Sequence, residues 1–114
     1  MTLYVMTPLQ ALVISILFDG ETSCRKIQSE LAARNVEMEM TLVYRLLGRM
    51  KLAGYVQGRY HQYQTSDGRT IRERHYAVDE FGLAQWKKIK DLFDTMSLPR
   101  EDFQPVTYKE YYED

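Results

Sequence analysis

The order of its local patterns, three helices and then a β-hairpin, most constrains what this chain can fold into. The third helix has the clearest pattern, because its apolar residues recur at the spacing of one buried stripe. These residues are Val43, Leu46, Leu47 and Met50. We therefore predict a helix over residues 41–53, ended by Gly54.

Two arginines and a glycine lie on the polar side of this third helix. Arg45 and Arg49 are four residues apart, so both cations project from one side. Gly48 between them lowers helix stability by about 1 kcal/mol relative to alanine. The combination is typical of a helix that leaves room for a close partner, and it is equally compatible with an ordinary solvated surface.

Two helices are predicted before it. Thr7-Pro8 starts the first, since threonine is a good N-cap and proline suits the first helical position. Asp19-Gly20 ends this helix. The second helix is predicted from about residue 22 or 23 to Asn35, a residue type that often caps a helix at its C-terminus.

A hairpin and a last helix follow. Residues 55–63 and 70–78 are predicted strands, joined by a turn that contains Asp67-Gly68. Asp79 is expected to cap a helix from Glu80 to about Met96. This helix has apolar residues spaced three, four and three apart, which is the seam of a short coiled coil and predicts dimerisation. The seam consists of Trp86, Ile89, Phe93 and Met96.

This order predicts a winged helix-turn-helix, a mainly α fold with a two-stranded β-wing (α+β) and a C-terminal dimerisation helix. We expect a winged helix domain at residues 1–78, the dimerisation helix at 79–97, and an acidic, tyrosine-rich tail at 98–114. In such folds the third helix enters the major groove of DNA, and the wing contacts an adjacent groove or the backbone.

The distribution of charge agrees with a nucleic-acid partner. The formal net charge is only −1, but residues 41–78 carry seven basic and two acidic side chains. The segments before and after them are both net acidic. A positive block inside an almost neutral chain predicts a surface that binds a polyanion.

Two motifs carry a resemblance to a known family. Tyr44, Leu47, Arg49 and Gly54 match a third-helix motif, Thr-Leu-Tyr-Pro-x-Leu-x-Arg-Leu followed by Gly-Leu-Ile. The positions that match the motif after the wing, Arg-x-Tyr-x-hydrophobic-Thr-x-x-Gly, are Arg74, Tyr76, Val78 and Gly82. In order and spacing, residues 8–96 resemble the PadR family of bacterial transcriptional regulators.

The chain also departs from this family. The family's second-helix motif, roughly His-Gly-Tyr-Glu-Ile, falls on residues 23–27 here, and only Ile27 agrees. Arg45 replaces the usual proline of the third helix, and the wing lacks the usual glycine pair. The resemblance implies a homodimer joined through the C-terminal helix, and repression of nearby promoters. The short C-terminus is similar to that of the compact subfamily, and cyanobacterial period-extender clock proteins are also compact members.

We therefore predict double-stranded DNA binding by a homodimeric repressor. The second helix is expected to contact the DNA backbone, the third helix to contact bases and phosphates, and the wing to contact phosphates. The predicted DNA-binding residues are Arg25, Lys26, Thr41, Tyr44, Arg45, Arg49, Arg69, Arg72 and Arg74. Two alternatives remain: a ligand-sensing repressor with a pocket at the dimer seam, lined by Trp86, and a winged helix module that binds proteins.

The remaining candidate residues predict no catalysis, cofactor or metal site. His61 is expected to be a solvated wing residue, with a phosphate contact or a pH switch as alternatives. His75 is expected at the wing base rather than as a ligand. Cys24 is either a small buried hydrophobe or, at a helix N-terminus, a redox-sensitive thiol. With no apolar run of about 18 residues, we expect a soluble, cytoplasmic protein with no membrane contact. The sequence identifies no small-molecule effector.

Overall fold

A computed structural model describes residues 5–96, except for the side chain of Met96. The predicted tail at residues 98–114 and the place of Met96 in the predicted seam therefore lie outside the described residues. The elements are α1 (Pro8–Ile16), a 3-10 turn (Leu17–Asp19), β1 (Thr22–Ser23), α2 (Cys24–Ala33), α3 (Met40–Leu52), β2 (Val56–Gln64), β3 (Thr70–Val78) and α4 (Glu80–Met96).

The sheet has three strands, in the order β1-β3-β2: the two predicted strands of the wing, β2 and β3, and a short strand, β1, that we did not predict. β1 pairs with β3 in antiparallel register, with Thr22 opposite Tyr76 and Ser23 opposite His75. Two residues are too few to show an alternating pattern, so no periodicity in the sequence indicates this strand. Ser23 also caps α2, because its Oγ accepts a hydrogen bond from the Lys26 N–H at 3.1 Å.

The predicted helix boundaries agree with the structure to within two or three residues. Thr7 and Gln10 form a capping box at the start of α1, in which each side chain accepts a hydrogen bond from the other residue's backbone N–H. Asn35 follows α2 with φ of 65°, a left-handed conformation that asparagine tolerates. None of the helices within residues 5–96 combines the length and the apolar character that crossing a membrane requires.

The core lies where α1, α2 and α3 meet the base of the sheet. The predicted stripe of α3 is fully buried there, together with apolar residues of the two earlier helices. Two tyrosines, Tyr55 and Tyr76, are also almost completely buried, and burial raises the pKa of Tyr76 to about 12. The sequence pattern had placed these tyrosines in the strands but had not marked them as core.

The end of α3, the start of β2 and the start of α4 meet at Tyr55. Gly54 has φ of 83° and lets the chain turn sharply out of α3. The Tyr55 carbonyl accepts a hydrogen bond from the Asp79 N–H at 2.9 Å. Gly82 packs on the same peptide so closely that a Cβ would lie 2.1 Å from the Tyr55 oxygen. The glycine is therefore required for α4 to dock on the wing base.

The wing extends beyond this core. Most side chains of β2 from Arg59 onward are exposed, as are those at the start of β3. Asp67-Gly68 forms the turn at its tip, with Gly68 at φ of 84°. The tip of the wing therefore lies outside the core, where its mostly polar side chains are in contact with solvent.

Replacing Gly82 with alanine should destabilise the fold, because the new Cβ would meet a backbone oxygen that cannot move alone. We expect Gly82→Ala to lower the free energy of unfolding by about 2 kcal/mol or more, as overpacking does. Urea denaturation followed by circular dichroism measures this change.

Gly48→Ala is the matched control. A Cβ at Gly48 would meet nothing within 4 Å outside its own helical neighbourhood. This variant should gain up to about 1 kcal/mol from helix propensity. Equal stability of wild type and Gly82→Ala would show that α4 does not rest on Tyr55.

Candidate nucleic-acid interface

The exposed side of α3 carries all four of the residues that we predicted to contact DNA from this helix. Thr41, Tyr44, Arg45 and Arg49 are all exposed, opposite the buried stripe. Arg45 and Arg49 line a shallow hollow of about 20 Å³ with Met38 and Leu42. The surface at Gly48 is open, so a partner can approach the helix backbone between the two arginines.

A larger cleft, of about 220 Å³, lies where the start of α2, the start of α3 and the wing meet. Each of these elements contributes a predicted site residue: Arg25, Tyr44 and Arg72 respectively. Beyond Ser23, β1 no longer covers the edge of β3, and this leaves room for the cleft. The structure thus brings together three side chains that the sequence had assigned to separate elements. Lys26 is exposed next to Arg25 in the first turn of α2.

The three wing arginines have different environments. The Arg72 guanidinium is exposed and lies 4.1 Å from the centre of the Tyr60 ring, a cation–π contact that holds it in place. Arg74 lies 5.2 Å from the Tyr60 ring and 5.7 Å from the Tyr76 ring. Its Nε is buried and makes no hydrogen bond with any residue in the range 5–96. Arg74 therefore belongs to the base of the wing, whereas Arg72 is available to a partner.

Arg69 lies at the tip of the wing and is highly exposed. Its Nε is 3.4 Å from a carboxylate oxygen of Asp67 in the same turn. Such an exposed ion pair contributes little energy, so a phosphate could replace the Asp67 carboxylate as the partner of Arg69.

The face of the wing opposite to Arg72 carries a cluster of charged and histidine side chains that we did not predict from the sequence. Glu21, just before β1, accepts hydrogen bonds from Arg59, and His61 Nε2 lies 2.6 Å from Glu21 Oε1. These hydrogen bonds lower the pKa of Glu21 to about 2. The His61 and His75 rings are 4.2 Å apart between centroids. Although His61 is solvent-exposed, as expected, it also has a specific acidic partner.

Cys24 behaves as a buried hydrophobe. Its side chain is almost completely inaccessible at the start of α2, and burial raises the pKa of its thiol to about 11. A thiol with this pKa forms very little thiolate near neutral pH. The geometry thus favours the first of the two alternatives for Cys24.

The apolar residues of α4 divide between two environments. Trp86 and Ile89 pack partly against the protein's own core. The Trp86 ring also makes an edge-to-face contact with the Phe18 ring, with 4.7 Å between the ring centroids. Further along the helix, Leu92 is 54% exposed and Phe93 is half-buried. The first half of the predicted seam therefore packs on the protein's own core and on the 3-10 turn, whereas Leu92, next to the seam, is largely exposed.

Several solved structures share this architecture. The PadR family transcriptional regulator of Eggerthella lenta DSM 2243 aligns with a TM-score of 0.64 and 17% identity, over 77% of this chain and 73% of that one. The PadR of Bacillus subtilis, solved in complex with operator DNA, aligns with a TM-score of 0.59 and 18% identity, over 94% of this chain and 59% of that one.

The circadian clock associated protein Pex from Anabaena is also similar. Its TM-score is 0.55 at 16% identity, and the alignment covers 75% of this chain and 74% of that one. No protein-family model matches the chain, and no curated protein sequence matches it significantly. At these identities the likeness shows a shared fold. The chain has the winged helix fold of PadR-like regulators, which confirms the fold expected from the sequence.

Proposed function

We propose that the protein is a transcriptional regulator that binds specific double-stranded DNA, acting as a homodimeric repressor. The main support is the cleft at which Arg25, Tyr44 and Arg72 converge from α2, α3 and the wing. In winged helix proteins these elements contact one continuous stretch of duplex. A likeness in fold to a PadR solved with operator DNA supports the same assignment.

The residues take different roles in this proposal. Arg45 and Arg49 enter the major groove, where their guanidinium groups hydrogen-bond to guanine edges. Thr41 and Tyr44 contact phosphate or a thymine methyl group. Arg25 and Lys26 contact the backbone from the start of α2, and Arg69 and Arg72 contact phosphates from the wing. Since Arg74 is half-buried between tyrosine rings, we assign it mainly to shaping the wing.

Arg49→Ala should distinguish base reading from attraction by charge. If Arg49 contacts bases, the variant should lose about 1–3 kcal/mol on a site selected from random DNA, and much less on unrelated DNA. Fluorescence anisotropy with the two duplexes measures both affinities. We expect the larger loss of specificity at Arg49 rather than at Arg45, because Arg49 matches the family motif.

Lys51→Ala is the matched control, because Lys51 is another exposed cation on α3. Lys51→Ala should weaken binding to both duplexes by a similar factor, and by less than Arg49→Ala weakens binding to the selected site. An equal loss on both duplexes for Arg49→Ala would mean that Arg49 contacts phosphates only. A large fall in its melting temperature would instead mean that Arg49 supports the fold.

Arg72→Ala tests the wing. Removing one phosphate contact should weaken binding to all sequences alike and reduce the slope of log K against log salt by about one. Titrations at several salt concentrations give the slope. Lys87→Ala, which removes an exposed cation from α4, should leave the slope unchanged. The same slope for Arg72→Ala and wild type would place Arg72 away from the phosphates.

The proposed dimer uses the second half of α4. Because Ile89 packs partly on the core, Phe93→Glu with Leu92→Glu is a cleaner test than a change at Ile89. We expect the double variant to sediment as a monomer at micromolar concentration and to bind DNA at least tenfold more weakly. Leu52→Glu, at a highly exposed site on α3, should leave the dimer intact. A monomeric wild type would contradict the proposal.

A further inference from the structure

Two histidines and a glutamate meet on the face of the wing opposite to Arg72. The chain has only two histidines, and β2 and β3 place both of them here. His61 pairs with Glu73 and His75 with Arg59, so the imidazoles are diagonal neighbours on one face. β1 pairs Ser23 with His75, which brings Glu21, two residues earlier, to the same place.

The distances suit a metal ion. One ligand atom from each of Glu21, His61 and His75 can be chosen so that all three lie within 4.8 Å of one another. Donor atoms around a tetrahedral Zn²⁺ lie about 3.3 Å apart, since Zn–N and Zn–O bonds are about 2.0–2.1 Å long. Small side-chain rotations would therefore bring the three atoms to this spacing.

The three side chains are also accessible. Their exposed fractions are 21% for Glu21, 44% for His61 and 22% for His75. An ion can reach the cluster from solvent without opening the core. Because the three groups leave one side open to solvent, water can complete a four-coordinate site.

Arg59 is arranged to support such a site rather than to block it. Its Nη2 donates to Glu21 Oε2, whereas Glu21 Oε1 is the oxygen beside His61. Arg59 Nε also donates to Oε1, at 2.9 Å. Oε1 accepts this bond through one lone pair and keeps a second, on the side of His61, that can bind an ion. Arg59 then acts as an outer partner that fixes the orientation of the carboxylate.

We propose that Glu21, His61 and His75 bind one divalent transition-metal ion, and that the ion clamps the wing to the segment before β1. Two imidazoles and one carboxylate match Zn²⁺, whereas Mg²⁺ and Ca²⁺ prefer sites made of oxygen alone. The clamp joins both strands of the wing to the chain that leads into α2. The proposal concerns this protein's own structure and does not depend on DNA binding.

Isothermal titration calorimetry, in which Zn²⁺ is added to protein without an affinity tag, tests the site. We expect one ion per chain, with His61→Ala and His75→Ala each weakening binding at least tenfold. Co²⁺ should give the visible absorption of a four-coordinate complex. Glu37→Gln, at an exposed acid on the α2–α3 link, and Cys24→Ser should both bind like wild type. Circular dichroism confirms that each variant is folded.

Two results would overturn the site: Zn²⁺ affinity that survives loss of both histidines, or affinity that disappears in Cys24→Ser. A wild type that binds no Zn²⁺ at 1:1 stoichiometry would do the same. Wild-type NMR gives a second readout that needs no variant, because the only two sets of imidazole signals should both shift with Zn²⁺. Amide hydrogen exchange in residues 56–64 and 70–78 should slow on loading, and unchanged exchange would refute the clamp.

Discussion

One peptide group, that of Tyr55, joins the helical body of the protein to its wing and to its last helix. Gly54 turns the chain out of α3, the Tyr55 ring is buried, and the Tyr55 carbonyl accepts a hydrogen bond from Asp79. Gly82 lies directly against the same carbonyl. Since one rigid contact fixes both elements, the angle of the wing and the angle of α4 cannot vary independently. The proposed DNA-binding surface and the proposed dimer surface are therefore set by the same few atoms.

The helices were predictable because they depend on local signals. The stripe of α3 and the capping residues Thr7 and Asp79 follow from spacing and backbone hydrogen bonding alone. The hairpin was equally clear, since Asp67-Gly68 separates two strand patterns. These signals were sufficient for the fold class, which the structure confirms.

Features that depend on contacts between distant segments were not predictable in this way. β1 is two residues long and is a strand only because β3 pairs with it. Glu21 contacts Arg59 and His61, which are 38 and 40 residues away, and no local pattern indicates such a contact. The wing register alone would have brought His61 near His75, so two of the three members of this cluster could have been found from the hairpin. Its third member needed the position of β1.

The two faces of the wing use their arginines differently, which changes what the positive block of residues 41–78 means. Arg59 contributes to that block in the sequence, but in the structure it pairs with Glu21 from the acidic first segment. Arg72, on the other face, stacks on Tyr60, which orients the guanidinium without neutralising its charge. Alternation along the strands therefore puts Arg59 and the two histidines on one face and Arg72 and Arg74 on the other, while side chains of both faces line the cleft. The proposed phosphate contact of Arg72 and the proposed clamp of Glu21, His61 and His75 therefore use different side chains on opposite faces of the wing.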